Sequence, residues 1–159
     1  MEKQELSYEA ILARGWGEIP KPQFLPDGSY RFRCTGGKAH APKTPDGSTR
    51  VVLGFEPQEA MEDVDSVALA ALGDNYDISE NVIWVTVWLQ KATDYAKLRN
   101  IMEKCGLNLD DYQGKDGFDN SLKAMKGMEC HGYVITGTEK SPSGEMVPAN
   151  KIITYADVN

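Results

Sequence analysis

No stretch of the 159 residues approaches the roughly 18 consecutive apolar side chains of a membrane-spanning helix, so the sequence offers no membrane anchor. The opening residues Met1-Glu2-Lys3-Gln4-Glu5 are charged and contain no apolar signal core, which points to a cytoplasmic protein. Cysteine is scarce: Cys34, Cys105 and Cys130 are odd in number and widely spaced, as reduced thiols are, and no Cys-x-x-Cys pair begins a zinc site. Only two histidines occur, His40 and His131, which is little for general acid–base work. No nucleophile motif, Walker loop or Gly-rich dinucleotide fingerprint is present. Cys130 and His131 are adjacent in one strand and point to opposite faces, so they cannot share a metal. Asp74, Asn75 and Asp77 lack the glycine and the distal glutamate of a calcium loop. We therefore expect no enzyme, no catalytic residues, no metal and no cofactor.

Positive charge is missing from one long segment. Glu56 to Glu80 holds eight acids and no base, so it carries −8 of a chain whose net charge is −7, and the remainder sums to +1. Pro26 to Phe55 has Arg31, Arg33, Lys38, Lys43 and Arg50 against Asp27 and Asp46, a local +3. Overall charge describes solubility better than it locates a binding face. The acidic segment reads first as a solvated insert, ahead of a metal or partner site.

What is present is strand periodicity. Residues 1–28 form an arm: a short helix at Tyr8 to Ala13, then an extended path enforced by Pro20, Pro22 and Pro26, with Trp16, Ile19, Phe24 and Leu25 as apolar anchors. Residues 29–159 form the domain. Ser29 to His40 is a strand with Tyr30, Phe32 and Cys34 on one face and Arg31, Arg33 and Thr35 on the other; Gly36-Gly37 marks a bulge. A polar hairpin loop leads to a return strand, Thr49 to Glu56. Asp63 to Leu72 is a short helix, Asn81 to Gln90 a third strand, and a second helix capped by Thr93 or Asp94 runs to Gly106. Leu107 to Asp119 is a polar loop and Ser121 to Met125 a brief helical turn. Met128 to Lys140 and Glu145 to Tyr155 close the chain as a hairpin. The expected class is mainly β, a barrel. Five strands with a helix between the third and fourth, an acidic helical insert between the second and third, and an N-terminal arm have the element order of an OB-fold.

The third strand carries the most information. Ile83, Val85, Val87 and Leu89 make one aliphatic face; Val82, Trp84, Thr86, Trp88 and Gln90 make the other. Two tryptophans away from the core row need either a covering layer or a flat ligand. A nucleobase is one, since base–aromatic stacking is worth about 1–3 kcal/mol. The arm residues Trp16, Ile19 and Phe24, or Leu98 and Met102 of the second helix, are the rival cover.

The sequence resembles phage-encoded OB-fold single-stranded-DNA-binding proteins of replication and recombination modules. The resemblance lies in Leu25-Pro26-Asp27-Gly28-Ser29-Tyr30, in Leu98 to Gly106, in Leu122 to Gly127 and in Asn150-Lys151-Ile152-Ile153. Many members carry a flexible acidic tail, a pattern that Tyr155-Ala156-Asp157-Val158-Asn159 does not show. The resemblance implies sequence-tolerant binding of single-stranded DNA in a host-cell cytoplasm, with RNA, a second copy of the chain and replication proteins as further candidate partners. The expected nucleic-acid contacts are Arg31, Arg33, Lys38, Lys43, Arg50, Trp84, Trp88 and Lys151, cations beside stacking platforms. The competing reading is a protein-interaction or virion-assembly domain that binds no nucleic acid.

Overall fold

The computed structural model describes residues 23–43, 47–74 and 76–158. Of the arm expected over residues 1–28, the part at 1–22, with its helix, Trp16 and Ile19, lies outside the described residues, as do Asn75 and the tip of the hairpin loop at 44–46.

Five strands form one antiparallel sheet: β1 (Gly28–His40), β2 (Thr49–Ala60), β3 (Ile83–Leu89), β4 (Glu129–Lys140) and β5 (Met146–Ala156), in the spatial order β3-β2-β1-β4-β5. Helix α1 (Ser66–Ala70) lies between β2 and β3, while α2 (Ala92–Lys104) and α3 (Gly117–Ala124) lie between β3 and β4. Element order and strand order are those of an OB-fold. The sheet is not closed: β3 and β5 are its edges, and they approach one another without a hydrogen-bonded ladder.

Strand alternation sets the inside and the outside. Tyr30, Phe32 and Cys34 of β1, Val51, Leu53 and Phe55 of β2, and Ile83, Val87 and Leu89 of β3 are buried. Leu98, Ile101 and Met102 of α2 pack onto the same core with Leu122, Met125, Cys130 and Val134. Phe32 meets Tyr30 at 6.1 Å and Phe55 at 6.2 Å, and Phe55 meets Tyr155 of β5 at 5.7 Å between ring centroids. Tyr155 therefore ties the far edge of the sheet to its middle.

β1 serves two neighbours by bending. Its first half, Gly28 to Arg33, pairs with β4, and Tyr30 to His40 pairs with β2. Pairing with β2 shifts between Cys34 and Gly36, where Gly36 takes φ 121°, open to glycine and costly for other residues.

Several boundaries differ from the sequence expectation. β2 continues past Glu56 to Ala60 through Pro57, which sits beside the register shift between Arg31 and Phe32, where the ladder is already interrupted. The helix expected over Asp63 to Leu72 shrinks to Ser66–Ala70. Asp65 caps it, accepting from Val67 N and Ala68 N, and Asp63 instead accepts from the Ser29 backbone N–H and hydroxyl at 2.8 Å each. α2 starts at Ala92 with Lys91 as its cap residue; Asp94 lies in the first turn and accepts from the backbone N–H groups of Gln90 and Lys91. Within the expected loop, α3 already begins at Gly117.

Candidate nucleic-acid interface

Register places the outward side chains of β1, β2 and β3 in cross-strand rows. His40, Arg50 and Trp88 make one row; Lys38, Val52 and Thr86 the next; Gly36, Gly54 and Trp84 the third. Trp84 is 65% and Trp88 51% exposed, so neither Leu98 nor Met102, both in the core, covers them. Four residues of strand set the backbone positions of the two tryptophans about 13 Å apart.

Each indole is held differently. The Arg50 guanidinium lies 5.9 Å from the centroid of Trp88, a cation–π contact across the ladder. Trp84 leans over Gly54: a Cβ there would lie 2.7 Å from its Cζ3 and 2.3 Å from Thr35 Oγ1. The missing side chain lets the ring lie against the sheet and leaves its other side to solvent. Sequence reasoning passed over Gly54, although a glycine inside a strand signals a close approach.

The cations fall into two groups. Lys38, Lys43 and Arg50 form no ion pair among the described residues, and they lie around the tryptophan rows or in the loop beyond β1. Arg31 and Arg33 point outward as their alternation requires, but carboxylates surround them. Arg31 meets Glu129 at 2.7 Å and Glu59 at 3.6 Å, and Arg33 meets Glu56 at 3.1 Å. Two of the six expected cations are thus already neutralised from within. Lys151 stands on β5 opposite Ile135, with its stem over Gly137, and the sheet register does not bring it to the tryptophan rows.

The acidic segment is largely occupied in structure. Glu56 and Glu59 pair with the β1 arginines, and Asp63, Asp65 and Asp77 accept backbone or hydroxyl hydrogens. Hydrogen bonds from Ser29 hold the Asp63 carboxyl below its ordinary range. Cys34, Cys105 and Cys130 are buried free thiols. Burial pushes Cys34 up to about 11, and a hydrogen bond to Cys130 together with burial raises Cys105. Neither thiol is thus poised as a thiolate. A separate cleft of about 410 Å³ beside α2 and α3 is lined by Tyr95, Leu98, Met102, Tyr112 and Phe118. Its Arg99 is paired with Glu103 and Asp110, so it offers a strand of phosphates little.

No family model matches the chain, and no curated protein does. Among solved structures, the chain is similar to yeast RPA bound to ssDNA. The likeness covers 100% of this chain and 90% of that one, at 12% identity and a TM-score of 0.40. The fold assignment rests on the strand order and register of the chain itself.

Proposed function

We propose that this chain binds single-stranded DNA without strong sequence preference, stacking bases on Trp84 and Trp88 and neutralising phosphates with Lys38, Lys43 and Arg50. The observation that carries the reading is the pair of half-exposed indoles on one face of β3, one of them under a guanidinium. Every base has a π-face, so stacking tolerates sequence, while cations beside the rings hold the backbone. Arg31 and Arg33 contribute less, because a phosphate must compete with Glu56, Glu59 and Glu129 for them. Binding rather than catalysis is the activity, and a role in phage replication or recombination is what the sequence resemblance adds.

Tryptophan fluorescence titrated with an unstructured oligodeoxynucleotide at low salt tests this. We expect quenching, and a loss of affinity of about fivefold or more in each of Trp84→Ala and Trp88→Ala, as the stacking energy of one base requires. Neither quenching nor binding at low salt would refute it.

A further inference from the structure

Where β3 and β5 approach without a ladder, the sheet leaves a cleft of about 260 Å³. It is smaller than the roughly 300–1,000 Å³ of drug-sized ligand sites. Phe24, Asn81, Trp84, Glu139, Pro148 and Asn150 line it. The stretch that carries Phe24 is fastened on both sides. Asn81 Nδ2 donates to the Gln23 carbonyl at 2.8 Å. Asn150 Oδ1 accepts from Leu25 N at 2.8 Å, and its Nδ2 donates to Leu25 O at 3.0 Å. The Leu25 side chain is buried, while Phe24 between these anchors remains 36% exposed. An aromatic ring on a pinned backbone at the mouth of a cleft is a prepared wall: its ordering entropy is already spent in the free protein.

We propose that this cleft receives one base of the bound strand and favours a base bearing an exocyclic amino group, cytosine over thymine. The proposal rests on the single-strand reading above, since Trp84 belongs both to the stacking face and to the cleft. Hydrogen-bonding capacity sets the preference. Both amide hydrogens of Asn150 are directed at protein acceptors, Leu25 O and Thr136 Oγ1, and Asn81 has one of its two committed to Gln23 O; the remaining amide groups of Asn81 and Gln23 can serve either base, which leaves Glu139 to discriminate. Glu139 makes no ion pair among the described residues, and an ionised carboxylate only accepts. A carboxylate accepts freely from the cytosine N4 amino group at the end of its base edge, whereas the one donor of thymine, N3–H, lies between two carbonyl oxygens that repel a carboxylate. The same charge repels phosphate, so the strand enters this cleft base first.

Fluorescence anisotropy with end-labelled oligo-dC and oligo-dT of equal length tests this on the full chain at low salt; both are pyrimidines, which keeps stacking comparable. The wild type should bind oligo-dC more tightly than oligo-dT. Phe24→Ala should weaken binding of both by about fivefold. Glu139→Gln should bring the two affinities together. Melting curves of both variants report folding; should Phe24→Ala not fold, Glu139→Gln decides alone. Equal wild-type affinities for oligo-dC and oligo-dT, or a preference that survives in Glu139→Gln, overturn the cleft proposal and leave the stacking face standing. Binding of neither oligonucleotide by the wild type overturns the single-strand reading itself.

Discussion

Salt dependence counts the cations that touch phosphate, and the ion pairs on β1 make that count specific. For single strands the slope of log affinity against log salt is about −0.7 per neutralised phosphate. With Lys38, Lys43 and Arg50 engaged and Arg31 and Arg33 retained by their carboxylates, the slope is about −2. Affinity then falls about 20-fold between 50 and 200 mM salt. Were both arginines released to the strand, the slope would be about −3.5 and the loss about 130-fold over the same range. The retention is of modest strength, because exposed ion pairs are worth about 0–1 kcal/mol. Arg31 faces two carboxylates, and Arg33 faces one. Removing that one carboxylate in Glu56→Gln should therefore free Arg33, tighten binding at low salt and steepen the slope by about 0.7. Anisotropy titrations at four or five salt concentrations measure both slopes. A wild-type slope near zero refutes phosphate contact altogether; one near −3.5, unchanged in Glu56→Gln, refutes the division of the face into occupied and available cations.

Two further outcomes follow from contacts away from the phosphates. Gly54→Ala places a methyl group 2.7 Å from the Trp84 ring and 2.3 Å from Thr35 Oγ1. The ring must move off the sheet, so we expect a changed Trp84 emission and weaker binding with Trp88 still quenched; an unaltered spectrum and affinity would contradict the cradle. Asp63 has its carboxyl held low by Ser29, so its contribution to stability is present above the unfolded value and is lost as pH falls through the lower folded one. Asp63→Asn should thus melt below the wild type at neutral pH, with the gap closing in acid, and a gap that stays constant with pH would argue that Asp63 contributes no ionic part.

Much of this architecture can be read from residue order. Alternation in Tyr30-Arg31-Phe32-Arg33-Cys34 and in Ile83 to Leu89 assigns faces correctly because one side of each strand must enter the core. Gly36-Gly37 marks the place where β1 changes course, since an extra residue there needs unusual backbone angles. The exposure of the tryptophans was beyond reach, because covering a face is decided by elements far away in sequence. The cleft was beyond reach for the same reason: Phe24, Trp84 and Asn150 meet only through tertiary packing.

Charge counted along the chain misled for a reason that the ladder makes plain. The basic stretch to Phe55 and the acidic stretch from Glu56 look like two separate fields when read in order. β2 runs on through Pro57, at a point where pairing is already irregular. Glu56 thereby lies opposite Arg33, the extension lays Glu59 opposite Arg31, and β4 brings Glu129 to the same arginines. An antiparallel return therefore folds the head of the acidic stretch back across the basic strand and cancels its lower half. In the upper half β2 presents Arg50, Val52 and Gly54, the cations there form no ion pair among the described residues, and β3 sets both tryptophans alongside. Stacking surface and uncompensated cations coincide because the hairpin of β1 and β2 carries the cations and β3, paired to β2, carries both tryptophans. A net charge of −7 is consequently no obstacle to binding a polyanion along this one edge of the sheet.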